Sequence, residues 1–201
     1  VISHADMDHR GAMEEFLAQW SVGSVLVGEG VPDINNSRGC QVSQAWEWDG
    51  VTFEVLHPST LEAYDDNDQS CVLKLKTEGG TGLLLTGDIT VDVEEQLSNS
   101  GMDLQAEIIQ VPHHGSRTSS SNTLLEKVQP ELAVATLGYK NRWGFPKRDV
   151  VQRYVDQDAD FLRTDQSGAV IIDVPGNGSE YRVTLWRDKQ QRFWKAEKIT
   201  D

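Results

Sequence analysis

Apolar positions Met13, Phe16, Leu17 and Trp20 recur at i, i+3, i+4 and i+7, which predicts a helix over residues 11–20 with one face packed on a sheet. The period then shortens. Runs rich in β-branched and aliphatic residues at 24–27, 51–56, 71–75, 83–86, 107–111, 132–136, 169–174 and 181–186 read as strands. Helical spacing returns at 91–97, 122–128 and 147–155. Strands with helices between them predict a layered α/β domain, in which the continuous apolar stretches 83–85 and 170–172 are buried on both faces. Gly, Pro, Asp and Asn make residues 28–38 a surface loop, and 62–69 a second one. No internal repeat or low-complexity linker interrupts the pattern.

A chain of 201 residues can bury a core of its own, and the whole of 1–201 reads as one domain. No apolar run approaches the roughly 20 residues that span a bilayer. The chain opens on Val1-Ile2-Ser3-His4, without Met or a leader pattern, so the expectation is a piece of a longer polypeptide. A net charge of −14 argues against a surface that holds nucleic acid by bulk attraction; any such contact must be local, supplied by bound cations or a few Arg and Lys side chains. The basic bias near the end, in Arg182, Arg187, Lys189, Arg192, Lys195 and Lys198 among Trp186, Phe193 and Trp194, reads as a solvated edge strand. Cys40 and Cys71 lack the spacing of a redox motif or a zinc knuckle, and Cys71 is expected to be a small buried side chain.

Four segments carry candidate chemistry. In Ser3-His4-Ala5-Asp6-Met7-Asp8-His9-Arg10-Gly11, two imidazoles and two carboxylates fall within six positions. In an extended chain i and i+2 point the same way, so His4 and Asp6 can hold one ion while Asp8 and His9 turn toward a second; the competing reading is a polar loop capping the next helix. Leu83-Leu84-Leu85-Thr86-Gly87-Asp88 is an apolar strand ending in a turn and a carboxylate that could bridge two cations, although Gly-Asp after a strand is often a turn alone. Val111-Pro112-His113-His114-Gly115-Ser116 follows another strand. Adjacent histidines point apart, so one is expected to be a ligand, with His113 favoured and His114 left for substrate. Ser116, Thr118 and residues 119–121 offer hydroxyls to a phosphate or cap the helix near Asn122, the latter role suiting Ser121. In the loop 138–146, Arg142 can fork onto a phosphate, Lys140 adds a point charge and Asn141 a polar contact.

At these residues the sequence resembles the ComEC family of competence proteins, whose C-terminal domain has the metallo-β-lactamase fold. The matching pieces are SHADMDHRG, NDQSCVLKL, LLLTGD, VPHHGS followed by TSSS, and GYKNRWGFP, in family order and over nearly the whole chain. The resemblance implies an αββα sandwich of two mixed sheets, here lacking its first strands, as the C-terminal part of a polytopic protein of the inner membrane, with this domain on the periplasmic face. It implies two divalent metals, His4 and Asp6 serving one, Asp8, His9 and His113 the other, and Asp88 both. Asp6 stands where the commoner HxHxDH pattern has His, and Asn67 or Asp68 where many relatives have a third histidine. That oxygen-rich set points to manganese before zinc. Phe145 replaces the His of a Gly-His-Pro triplet.

The implied activity is phosphodiester hydrolysis of DNA, single- or double-stranded, during uptake. Asp8 would orient the attacking hydroxide, Asp88 hold the ions, and the His113 loop with Arg142 neutralise phosphoryl charge. The partners implied are DNA and the transmembrane channel region of the same polypeptide, with membrane contact only through that parent. The alternatives are hydrolysis of small phosphoesters and a non-catalytic DNA- or partner-binding appendage of a DNA channel.

Overall fold

The computed structural model describes residues 1–32, 34–58 and 66–189. Its centre is a seven-stranded mixed sheet in the order β3-β4-β5-β6-β7-β8-β9. The strands are β3 (Ala45–Trp48), β4 (Val51–His57), β5 (Val72–Thr77), β6 (Gly82–Leu85), β7 (Ile108–Gln110), β8 (Leu132–Ala135) and β9 (Asp160–Arg163). Neighbours from β3 to β6 pair antiparallel, and those from β6 to β9 pair parallel. Parallel neighbours need a crossover, and each one here is a helix: α3 (Val91–Asn99), α4 (Asn122–Val128) and α5 (Arg148–Val155). The parallel strands therefore end on one common edge, where loops can gather side chains.

Side-chain alternation along the strands separates two cores. Leu56, Val72, Leu84, Ile109, Ala133 and Ala135 face the helices and pack with Val93, Leu97, Leu124, Leu125, Val128, Val150 and Tyr154. Each large aliphatic buried there stabilises the fold by roughly 1.5–3 kcal/mol. Their neighbours Val55, Cys71 and Leu73 form the second cluster with Leu26 and Cys40. Leu26 belongs to a two-stranded parallel sheet of β1 (Val25–Val27) and β2 (Ser37–Gly39), and Cys40 follows β2. Ile2 bridges to Val27, which carries the following residues to the sheet edge. A second small sheet pairs β10 (Val170–Asp173) antiparallel with β11 (Arg182–Leu185). Short helices α1 (Met7–Arg10), α2 (Met13–Gln19), α6 (Thr164–Ser167) and α7 (Trp186–Lys189) complete the set.

Several expectations need correction. The apolar stripe of the first long helix covers no core: α2 has no buried residue, Phe16 and Trp20 are exposed, and their rings stack on each other with centroids 6.3 Å apart. Periodicity identified the helix, but its apolar side is covered only in part, at Met13 and Leu17. Of the three leucines of β6 only Leu84 is fully buried, because Leu83 and Leu85 lie on the less covered face. Residues 170–172 are half-exposed, since β10 sits in a two-stranded sheet. The loop predicted at 28–38 includes the start of β2, and 62–69 ends in a 3-10 turn at Asp66–Gln69. Cys40 and Cys71 are joined in a disulfide across 31 residues, a pairing that spacing alone did not suggest. Of the basic C-terminal stretch, Arg192, Phe193, Trp194, Lys195 and Lys198 lie outside the described residues.

Candidate metal centre

Three segments converge where the parallel strands end. The first runs from Ser3 into α1, so the chain bends at His4, is extended at Asp6 and turns helical at Asp8 and His9. That change of conformation aims the motif's side chains at two neighbouring points. His4, His9 and Asp88 bring one ligand atom each within 4.8 Å of one another, and so do Asp8, His9 and His114. His9 belongs to both groups. Its Nε2 stands 3.2 Å from Asp88 Oδ1 and 3.9 Å from Asp8 Oδ2. Asp6, more exposed, reaches within 3.7 Å of His4 Nε2.

The turn Thr86-Gly87-Asp88 carries the buried carboxylate. Gly87 has φ 58°, and a β-carbon there would meet Ser70 Cβ at 2.7 Å, so only glycine fits. The Gln110 side-chain oxygen accepts from the N–H groups of Thr86 and Gly87, and Ser70 Oγ accepts from the N–H of Asp88. The Asp68 carboxylate accepts from Thr90 N and Oγ1, fixing the chain just beyond.

The third segment turns sharply through two consecutive left-handed residues, His113 with φ 46° and His114 with φ 54°. Such backbone is costly for a side chain with a β-carbon and persists where surrounding contacts enforce it. Its consequence is that the two rings part. His114 donates from Nδ1 to the Thr136 carbonyl at 2.7 Å, leaving Nε2 at 3.2 Å from Asp8 Oδ2 and 3.3 Å from Asp88 Oδ2. His113 instead has Nε2 at 3.4 Å from Asn67 Nδ2 and Nδ1 at 3.3 Å from Thr118 Oγ1. The structure thus brings His114, where the sequence reading favoured His113, into the cluster.

The other rings are oriented in the same manner. Ser3 Oγ contacts His4 Nδ1 at 3.1 Å and His9 Nδ1 at 3.0 Å, and Ser70 Oγ contacts His4 Nδ1 at 3.2 Å. Partners on the far nitrogen fix ring orientation and leave the other nitrogen for a ligand. Ser3, Ser70 and Gln110 were not singled out from sequence, because their roles depend on contacts across the fold; Asp68, expected at the place of a third histidine, instead accepts from Thr90.

The chemistry of the donor set fits divalent cations. His4 Nε2 is buried and has no hydrogen-bond partner, while the equally buried Asp88 Oδ1 faces His9 Nε2 at 3.2 Å. A polar atom buried in that way costs free energy unless something pairs with it. Burial alone would raise the Asp88 carboxyl, but hydrogen bonds from His114 and His9 outweigh it and hold it well below the usual carboxylate range. The bond to Asp88 pushes His114 up to about 9 against the opposing effect of burial. Burial, then the neighbouring His9, lowers His4. Three imidazoles and three carboxylates on one edge amount to mixed nitrogen and oxygen coordination.

The cluster opens into a cleft of about 810 Å³ lined by Asp6, Asp8, His9, Asp88, His113 and His114 and, opposite, by Asn141, Trp143 and Phe145. Lys140 and Arg142 lie exposed on that same loop but outside the lining, the Arg142 guanidinium 4.3 Å over the Trp143 ring. Asn141 is engaged in the loop itself, bonded to Phe145 N and O at 2.8 Å each. Ser116 is buried, its hydroxyl 3.0 Å from that of Thr118. Residues 119–121 are built into the fold: Ser119 donates to Ile89 O, Ser121 caps α4 through Leu124 N, and the N–H groups of Ser120 and Ser121 go to the buried Glu94 carboxylate.

A seven-stranded α/β sheet with helices on one face and a His/Asp cluster at its strand ends defines the class. The chain belongs to the metallo-β-lactamase superfamily, whose family model matches residues 1–138. Within it the resemblance to ComEC-type competence proteins holds across most of the chain. It is 41% identical over 172 residues to competence protein ComA of Neisseria gonorrhoeae, covering 85% of this chain and 24% of that protein. ComE operon protein 3 of Bacillus subtilis is 29% identical over 186 residues (85% and 24%), and the uncharacterized protein YcaI of Escherichia coli 31% over 195 residues (96% and 25%). The chain spans about a quarter of the length of these curated relatives. Among solved structures, the metallo-beta-lactamase fold protein YhfI of Bacillus subtilis superposes with a TM-score of 0.45 at 10% identity, over 80% of this chain and 72% of that one.

Proposed function

We propose that this domain hydrolyses phosphodiester bonds of DNA, with two divalent cations, as part of a DNA-uptake protein. The observation that carries the reading is the pair of overlapping groups, His4, His9 and Asp88 beside Asp8, His9 and His114, with His4 Nε2 buried and without a hydrogen-bond partner. Bound there, divalent cations supply Lewis acidity and activate water at neutral pH. The residues do the rest. Asp88, buried and anionic, supplies fixed negative charge between the two groups. Asp8 stands exposed at the mouth, where its Oδ2 can orient a water and take its proton. Ser3, Ser70 and the Thr136 carbonyl hold the imidazoles in one orientation. Arg142 and Lys140 add positive charge at the rim for a phosphate.

Similarity to competence proteins supports DNA as the substrate and a channel region in the parent chain as the partner. Three carboxylates among the donors favour manganese over zinc. No helix among the described residues is long and apolar enough to cross a membrane, and the Cys40–Cys71 disulfide supports an oxidising compartment such as the periplasm. The test is cleavage of an end-labelled single-stranded DNA by the full chain, with and without manganese. Manganese-dependent cutting that falls at least 100-fold in Asp8→Ala, with unchanged circular dichroism, is the expected result. Cutting retained in Asp8→Ala, or none by the wild type with any divalent cation, removes the reading.

A further inference from the structure

The loop 138–147 does more than rim the cleft. It holds Tyr139 and Trp143 in solvent, 72% and 56% exposed, although burying rings of that size is favourable. The loop does not lack the means to fold inward; it is braced. Asn141 clasps Phe145 by two hydrogen bonds, Lys147 Nζ donates to Trp143 O at 2.6 Å, and Lys147 N donates to Gly115 O at 2.9 Å. Gly115, at φ 81°, lies so close to Pro146 that a β-carbon would meet it at 2.5 Å. The aromatic rings are therefore presented by a backbone tied to the His113–His114 turn.

Charge on this loop runs against the rest of the chain. Lys140, Arg142, Lys147 and Arg148 follow one another without an acidic residue, in a protein of net charge −14, and the next carboxylate, Asp149, is paired with Arg117 at 3.0 Å. Aromatics and cations alternate and touch: Lys140 lies 5.4 Å from the Tyr139 ring, Arg142 4.3 Å from Trp143 and Lys147 5.1 Å from Phe145. Trp143 and Phe145 are nearly parallel, at 12°, and both line the cleft that holds Asp8, His9 and Asp88. Exposed aromatic faces interleaved with cations bind unpaired bases by stacking while the cations meet the phosphates. In a duplex the bases already stack on each other, so such a surface selects single strands.

We infer that residues 139–147, through Trp143 and Tyr139, form a sequence-independent stacking platform for the bases of single-stranded DNA, beside the cleft. The inference rests on the DNA-hydrolase reading for its substrate class. A membrane surface also attracts aromatic and basic side chains, but the platform's continuity with the His/Asp cleft favours a strand that reaches both.

Binding to the full chain is read by fluorescence anisotropy, with calcium as the divalent cation, for an end-labelled thymidine 12-mer and an abasic deoxyribose-phosphate 12-mer. The two strands share their phosphates and differ only in bases. The wild type should prefer the base-bearing strand about tenfold. Trp143→Ala should bring the two within about twofold, Trp143→Phe should keep part of the preference, and Trp48→Ala, an exposed tryptophan on β3, should leave it unchanged. Equal binding of both strands by the wild type, an equal loss for both in Trp143→Ala, or preferential binding of anionic vesicles overturns the inference. Base-dependent binding without cutting in manganese upholds the platform and removes the hydrolase. Cutting without base preference does the reverse.

Discussion

At the scale of single residues, the centre depends on which nitrogen of each imidazole is already engaged. His114 donates to the Thr136 carbonyl and turns Nε2 to Asp88, which raises its pKa to about 9. A histidine in an unfolded chain titrates near 6.5. A group whose folded pKa is raised contributes stability that is fully present below the unfolded value and lost as pH rises through the folded one. Metal-stripped protein should accordingly lose resistance to urea between pH 6.5 and about 9, and His114→Gln should flatten that part of the profile. A wild-type profile no steeper than that of the variant would contradict the pairing. His4, Asp6, Asp8, His9 and Asp88 were legible as candidates because the first four crowd one short motif and the last ends an apolar strand. The choice between His113 and His114 was not, because it is made by two left-handed residues whose conformation no local pattern announces.

At the scale of elements, periodicity located most strands and helices but did not say what would cover them. The stripe of α2 and the run at 170–172 have the pattern of buried faces and lie exposed or half-exposed, because burial is decided by neighbours. Strand β3 escaped notice because Trp46 and Trp48 alternate with charged Glu47 and Asp49 in a short segment at the sheet's outer edge. The buried Glu94 on α3 escaped for a related reason: an acidic residue in a helix reads as a solvated one. Here its carboxylate takes the N–H groups of Ser120 and Ser121, ahead of α4, with burial raising its pKa and those hydrogen bonds opposing. Replacing Glu94 by Ala would leave two buried donors unpaired, so thermal or urea unfolding should show a loss of about 2–4 kcal/mol. A change under about 0.5 kcal/mol would mean that the carboxylate does not tie α3 to α4.

At the scale of the molecule, the disulfide joins the small sheet to the large one. Cys40 N donates to Val27 O, and Cys71 N donates to Ser3 O, so the bridge ties β1 and β2 to the segment that carries His4. Closing a loop of this size removes denatured-chain entropy worth about 3.7 kcal/mol. Cys40→Ser with Cys71→Ser should lower unfolding stability by about that amount and make the variant insensitive to dithiothreitol, whereas the wild type should weaken in reductant. Equal stability of the two in reductant-free buffer would show that the bridge does not form.

The fold's class was readable from sequence because strand and helix periods alternate, and its site because ligand-bearing motifs follow apolar strands. The common edge on which the three segments meet is a property of the parallel pairing of β6, β7 and β8. The most direct test of the central claim is anomalous diffraction at the manganese edge from crystals of the full chain grown with that ion. Two peaks are predicted, one contacted by His4, His9 or Asp88 and one by Asp8 or His114, with His113 outside both shells. No peak at this edge of the sheet, or one held by His113 in place of His114, would contradict the account.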